Sequence, residues 1–162
     1  MFNLNEKVVY PGHGVAEVSR IVEKIVGGSV TKFLELKFFN KDMTILVPMA
    51  SSVAVGLRRL SSKENIEGVM KILSEPVSIF CENNSVNWNK RNKDYQCKLR
   101  SGDIYEVCKI YRDLKYISSK KELSFGEKDL LSKTESLLAE EISIVNNEGE
   151  EKTIQSLRSM FA

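Results

Sequence analysis

Histidine and cysteine are both scarce in this chain, and each scarcity removes a class of function. The one histidine, His13, sits in the turn sequence Pro11-Gly12-His13-Gly14, with no cysteine or acid at nucleophile–base spacing. It reads as a structural turn residue, and base-assisted catalysis lacks its base. Cys81, Cys97 and Cys108 are too few and too widely spaced for a zinc site. Their odd number fits reduced thiols, and Cys108 falls on the apolar face of an expected helix, where a small core residue belongs. Gly12-His13-Gly14 lacks the third glycine of a nucleotide fingerprint and opens no helix; no P-loop and no G-x-S-x-G is present. The expectation is a protein without catalysis, cofactor or metal. No apolar run has the length of a membrane span, and MFNLNEKVVY lacks the regions of a signal peptide, so a cytoplasmic protein is expected. Internal repeats and low-complexity linkers are also missing.

What the chain does have is an ordinary globular composition with unevenly placed charge. Its 162 residues are 42% hydrophobic and 28% charged, enough for one full domain or two small ones. The net charge of +2 conceals segregation. Residues 1–60 hold 8 basic and 5 acidic side chains, net +3, and residues 61–87 hold 2 and 4, net −2. Residues 88–121 hold 10 and 4, net +6, and residues 122–162 hold 4 and 9, net −5. A basic belt opening at Trp88 has the electrostatic footprint of phosphate binding, although a solvated helix face gives the same count. Most of the acids of residues 122–162 are expected on polar, solvated helix faces.

Residues 1–60 read as strands. Lys7–Tyr10 is short and apolar and is closed by the Pro11–Gly14 turn. Val15–Val26 is rich in β-branched residues and ends at Gly27-Gly28, a hairpin dipeptide. Thr31–Phe39 alternates, with Leu34, Leu36 and Phe38 on one face. Met43–Val47 is a strand stopped by Pro48, and Val53–Val55 supplies a fifth. From Ser61 the period becomes helical. Ser61 or Ser62 caps a helix carrying Ile66, Val69, Met70 and Leu73, ended at Glu75-Pro76. A second helix starts near Asn87, with Trp88, Tyr95 and Leu99 on one side, and stops at Gly102. Asp103 opens a third with a stripe through Ile104, Val107, Cys108, Tyr111, Leu114 and Ile117. Ser124 and Glu127 have capping-box spacing before a long helix with Leu130, Leu131, Leu137, Leu138, Ile142 and Val145 inward. A short last helix carries Ile154, Leu157, Met160 and Phe161. The expected fold is therefore α+β: a small Tudor- or SH3-like β-barrel over residues 1–60, then a compact all-helical domain of about five helices over residues 61–162.

The stretch Val86–Lys93, VNWNKRNK, holds the only tryptophan, with Asn87 and Asn89 beside it and Lys90, Arg91 and Lys93 following. A large ring among amides and cations suits a nucleic-acid duplex, ring at the base steps and cations on phosphates. An indole half-buried at a helix start is the plainer reading of the same eight residues.

Taken together, VVYPGHGVAEV, LELKFF, the T-x-x-V-P step of Thr44–Pro48, NWNKR, SGDI, YRDL and LSFGEK resemble the CarD (CdnL) family of bacterial RNA polymerase-binding regulators. The likeness runs in order over nearly the whole chain. YPGHG and TILVP recur in transcription-repair coupling factors, but the NW-x-[KR]-R, RDL and GEK elements set this chain apart from them. The resemblance implies a Tudor-like module that binds the polymerase β subunit through an exposed strand edge. It also implies a helical module on promoter DNA at the upstream fork of the melted bubble, in the minor groove and with little sequence preference. The implied outcome is open-complex stabilisation, usually at promoters such as those for ribosomal RNA. Carried across, Trp88 matches the wedge, Asn87 flanks it, Lys90 and Arg91 match the basic pair, and Lys93 and Lys128 match positions near phosphates. Lys24 and Val26 fall on the polymerase side with Leu46, Val47 and Pro48 of the contact edge. Leu46 stands where some relatives carry arginine. A protein–protein adaptor and an RNA-binding module are the alternatives; the first implies salt-insensitive association with promoter complexes, the second a preference for RNA over forked DNA.

Overall fold

The structure is a computed structural model. It describes residues 2–39, 41–75 and 88–161, with Trp88 described by its backbone alone. The chain divides between Leu60 and Ser61 into two compact units.

The first unit is an antiparallel sheet of β1 (Lys7–Tyr10), β2 (Gly14–Val26), β3 (Ser29–Phe38), β4 (Thr44–Pro48) and β5 (Arg58–Arg59). The strand order is β4-β3-β2-β1-β5. Alternation sets its core: Val8, Ala16, Val18, Leu34, Leu36 and Val47 share one buried face. The β2–β3 turn needs left-handed backbone at both central positions, and Gly27 (φ 59°) and Gly28 (φ 81°) supply it. An added Cβ would meet nothing within 4 Å at either, so the demand there is conformational rather than steric.

Two details differ from the sequence reading. The fifth strand is Arg58–Arg59, paired with Val8 and Val9, not Val53–Val55. Val53–Val55 is exposed and folded into turns, with Val55 N–H donating to Ser51 O and Gly56 N–H to Val53 O. Local turn bonds there outcompete β-branched propensity. Pro48 does not stop β4 but ends it, in register with Phe33. A proline is tolerated because β4 is an outermost strand and needs no donor on its free side.

The second unit holds α1 (Lys63–Ser74), α2 (Trp88–Ser101), α3 (Ile104–Lys120), α4 (Phe125–Asn146) and α5 (Glu150–Ser159). Helix starts follow the caps: the Ser62 hydroxyl accepts from Asn65 N–H, Asp103 from Tyr105 N–H, and Ser124 with Glu127 closes a full capping box. Asn147, at φ 53°, gives α4 a left-handed C-cap. The α3 stripe is buried as expected, and the core joins Ile66, Val69, Leu99, Tyr111, Leu114 and Leu138 with Leu157 of α5. Cys108 lies in this core, and burial pushes its thiol up to about 12.

Four acids of α4 depart from the expected solvated faces, while Glu122, Asp129 and Glu151 remain exposed. Glu127, Glu135, Glu140 and Glu141 are buried rather than solvated. α4 packs against α1, α3 and α5, so it has little face left for water. The buried carboxylates carry specific bonds instead. Glu135 accepts from the Tyr111 hydroxyl at 2.9 Å and from Arg158 at 2.7 Å, tying α3, α4 and α5. Glu141 accepts from the backbone N–H of Ser61 at 2.9 Å and from its hydroxyl, fixing the first residue of this unit.

Candidate nucleic-acid and polymerase interfaces

The helical unit gathers its candidate residues at the starts of α2 and α4. Trp88 is the first residue of α2; its side chain, like Asn87, Cys81 and the polar stretch 77–86, lies outside the described residues. No acid occupies the first turn of α2. Lys90 and Lys93 are exposed and three residues apart, hence on one side of the helix. Arg91 differs. Its guanidinium lies 5.8 Å from the Tyr95 ring centroid, and its Nη2 donates to the Tyr95 hydroxyl at 3.4 Å. Tyr95 is buried, so Arg91 is held against the fold while the two lysines are exposed.

Glu127 sits buried in the first turn of α4. Burial pushes its carboxyl up, but hydrogen bonds with Ser124 and the charges of Lys121 and Arg91 together hold it below the usual range. The charge of Arg91 is the smallest of these influences on Glu127. Lys128 projects from the same turn and pairs with Glu122 at 3.4 Å. Both side chains are largely exposed, so the pair is weak and a phosphate can replace it. Lys90, Arg91 and Lys93 thus share the first two turns of α2, while Lys128 lies in the first turn of α4.

The sheet unit presents a second set. Cross-strand register puts Lys24, Val26, Leu46 and Pro48 on the face opposite the core, because each shares the parity of Thr31, Phe33 and Glu35 on β3. Lys24 and Val26 are exposed, and Leu46 is 38% exposed. Val47 points the other way, into the core at 3% exposure, so only its backbone is offered to a partner. β4 is the last strand on its side of the sheet, with no further strand beside it among the described residues. Also among the described residues, no group of three or more His, Cys, Asp or Glu could hold a metal ion, and no helix is long and apolar enough to cross a membrane.

Comparison with known proteins bears on both units. The CarD-like/TRCF RID domain matches residues 2–61, and the CarD C-terminal domain matches residues 68–158, more than half of the chain. The chain belongs to the CarD family. It is similar to YdeB of Bacillus subtilis (strain 168), a candidate transcription factor, at 23% identity over 145 residues, covering 90% of this chain and 92% of that one. The solution structure of the 72-residue N-terminal domain of Myxococcus xanthus CarD shares 30% identity with a TM-score of 0.32, covering 36% of this chain and 79% of that one. As a CarD-family transcription regulator, the protein carries a Tudor-like polymerase-interacting unit followed by the family's helical unit.

Proposed function

We propose that this protein binds the RNA polymerase β subunit through the β4 edge and the Lys24 face of its sheet unit, and stabilises the promoter open complex through its helical unit. Trp88 is the minor-groove wedge at the upstream fork. Asn87, Lys90, Arg91, Lys93 and Lys128 flank it on the phosphates. The observation that carries this reading is the position of Trp88 at the head of a helix whose first two turns present cations and whose first turn has no acid.

The physics needs no chemical step. Melting a promoter leaves unstacked base steps at the fork, and unstacking costs a few kcal/mol per step. An aromatic ring at the disturbed step replaces part of the lost stacking. Each phosphate neutralised by a lysine or arginine releases counterions, giving a salt slope of about −0.9 per contact. So small a patch binds duplex weakly when alone; tethering to polymerase raises its effective concentration at the promoter. The open state gains only the difference between the wedge's fit to open and closed DNA. A difference of about 1.4 kcal/mol shifts the equilibrium roughly tenfold.

The test is open-complex lifetime at a ribosomal RNA promoter after competitor challenge, with matching polymerase, with and without the protein. A longer lifetime is expected; an unchanged one refutes the reading. Lys24→Glu is expected to weaken co-purification with the β subunit while leaving the helical unit folded, and unchanged co-purification removes Lys24 from the contact.

A further inference from the structure

The outer half of the β2–β3 hairpin has no strand beside it on either flank among the described residues. β1 reaches β2 only at Gly14–Glu17, and β4 reaches β3 only at Phe33–Lys37. The free stretch between Ile21 and Lys32 nonetheless carries Ile21, Ile25, Val26 and Val30, which are 40%, 78%, 55% and 66% exposed. Ile25 and Val30 are direct cross-strand partners. They lie on the face that holds Leu34 and Val47 further down, but beyond the reach of the core. Along the free edge of β3 runs a cleft of about 410 Å³ lined by Val30, Thr31, Lys32, Met49 and Ala50. Folding does not call for aliphatic side chains here, since threonine would keep the strand and stay soluble. An uncovered apolar ribbon with open edges invites aggregation unless a partner covers it.

Two observations say which partner. Nine of the ten large hydrophobics exposed among the described residues lie in the sheet unit, the part of the chain that matches the CarD-like/TRCF RID domain; the tenth is Phe125. The pair also lies on the same hairpin as Lys24 and Val26 and one strand from Leu46 and Pro48, on the opposite face of the sheet from all four. Resting on the polymerase reading above, we propose that the Ile25–Val30 pair, with Ile21, is the apolar centre of the polymerase contact. The protein then holds polymerase largely by burying aliphatic surface, to which the uncharged Leu46 adds at the β4 edge. Contact on both faces of the hairpin follows: Lys24, Val26 and Leu46 on one, Ile25 and Val30 on the other.

The experiment is equilibrium binding of the full chain to matching RNA polymerase across a salt series of about 0.1–0.4 M, with heat-capacity change measured by calorimetry. Wild type is expected to vary less than about threefold over the series and to bind with a clearly negative heat-capacity change. Ile25→Thr/Val30→Thr keeps strand propensity and is expected to weaken binding at least about tenfold at every salt concentration. If wild type binds and the double variant binds as tightly, the inference falls and the polymerase reading stands. If wild type does not bind polymerase, that reading itself falls. A steep salt slope with no heat-capacity change overturns the inference without any variant. So does a homodimer, seen by light scattering, that the double variant dissolves without altering polymerase affinity.

Discussion

Tyr111→Phe should destabilise the helical unit by an amount its surroundings set. The Tyr111 ring is 0% exposed, and its hydroxyl donates to Glu135 Oε2 at 2.9 Å. Burial and the adjacent Glu135 carboxylate both push the phenol's pKa far up, so it stays a donor at every working pH. A hydrogen bond to a charged group contributes roughly 1.5–3 kcal/mol. Phenylalanine leaves no orphan behind, because Glu135 keeps Arg158 at 2.7 Å. The low end, about 1.5 kcal/mol, is therefore expected. Glu135→Leu leaves the Tyr111 hydroxyl without its acceptor inside the core, and about 2–3 kcal/mol is expected. The double variant removes both partners and should cost less than the sum of the singles. Urea unfolding followed at 222 nm reads these differences, since the helices dominate that signal. The pH dependence has a fixed sign. Burial raises the Glu135 carboxyl, but hydrogen bonds from Arg158 and Tyr111 and the Arg158 and Lys115 charges bring it below its ordinary value. Its stabilisation is present above the unfolded carboxylate pKa, about 4.3, and is lost as pH falls through the folded value. Glu135→Gln should flatten that acid limb. A Tyr111→Phe variant within about 0.3 kcal/mol of wild type, or an additive cycle, would refute this account of the network.

Three further outcomes follow from particular contacts. In the folded protein, peptide mapping after alkylation should find Cys97 modified and Cys108 untouched, because Cys97 is exposed and Cys108 is buried with its thiol pushed up to about 12; equal labelling would contradict the packing of α1 on α3. Gly68→Ala should change stability by less than about 1 kcal/mol, as the gain in helix propensity offsets displacement of the Tyr105 ring tip, whose hydroxyl oxygen would lie 2.9 Å from the new Cβ; a loss of several kcal/mol in urea unfolding would show that Tyr105 cannot swing aside. Lys90→Ala and Lys93→Ala should each reduce the salt slope of promoter-complex binding by about 0.9, and an unchanged slope would remove that lysine from the phosphate contacts.

Much of the fold was legible because its signals are local. Ser62, Asp103 and the Ser124–Glu127 box mark helix starts within four residues, and Gly27-Gly28 marks its hairpin without reference to anything distant. The misread parts depend on partners far along the chain. Arg58–Arg59 has little strand propensity and becomes β5 only because Val8 and Val9 offer an edge. Glu135 and Glu141 look like surface acids until Tyr111, Arg158 and Ser61 arrive from other elements. The candidate site divides in the same way. The cations after Trp88 are visible as a run, and Arg91 and Tyr95 have the i, i+4 spacing of a helical pair, but the burial of Tyr95 that fixes Arg91 comes only with the packed core. The Ile25–Val30 pair was hidden for a simpler reason: apolar alternation looks the same on a covered strand and an uncovered one. Only the lengths, 13 residues in β2 against 4 in β1 and 5 in β4, leave its outer half bare.

The claim on which the functional account depends is that the ring at position 88 favours separated strands over paired ones. Open-complex lifetime at one promoter, measured with wild type and with Trp88→Ala at concentrations that saturate polymerase with each, tests it most directly. The account predicts that Trp88→Ala binds polymerase as wild type does yet loses most of the lengthened lifetime. A variant that binds equally and preserves the wild-type lifetime would contradict it.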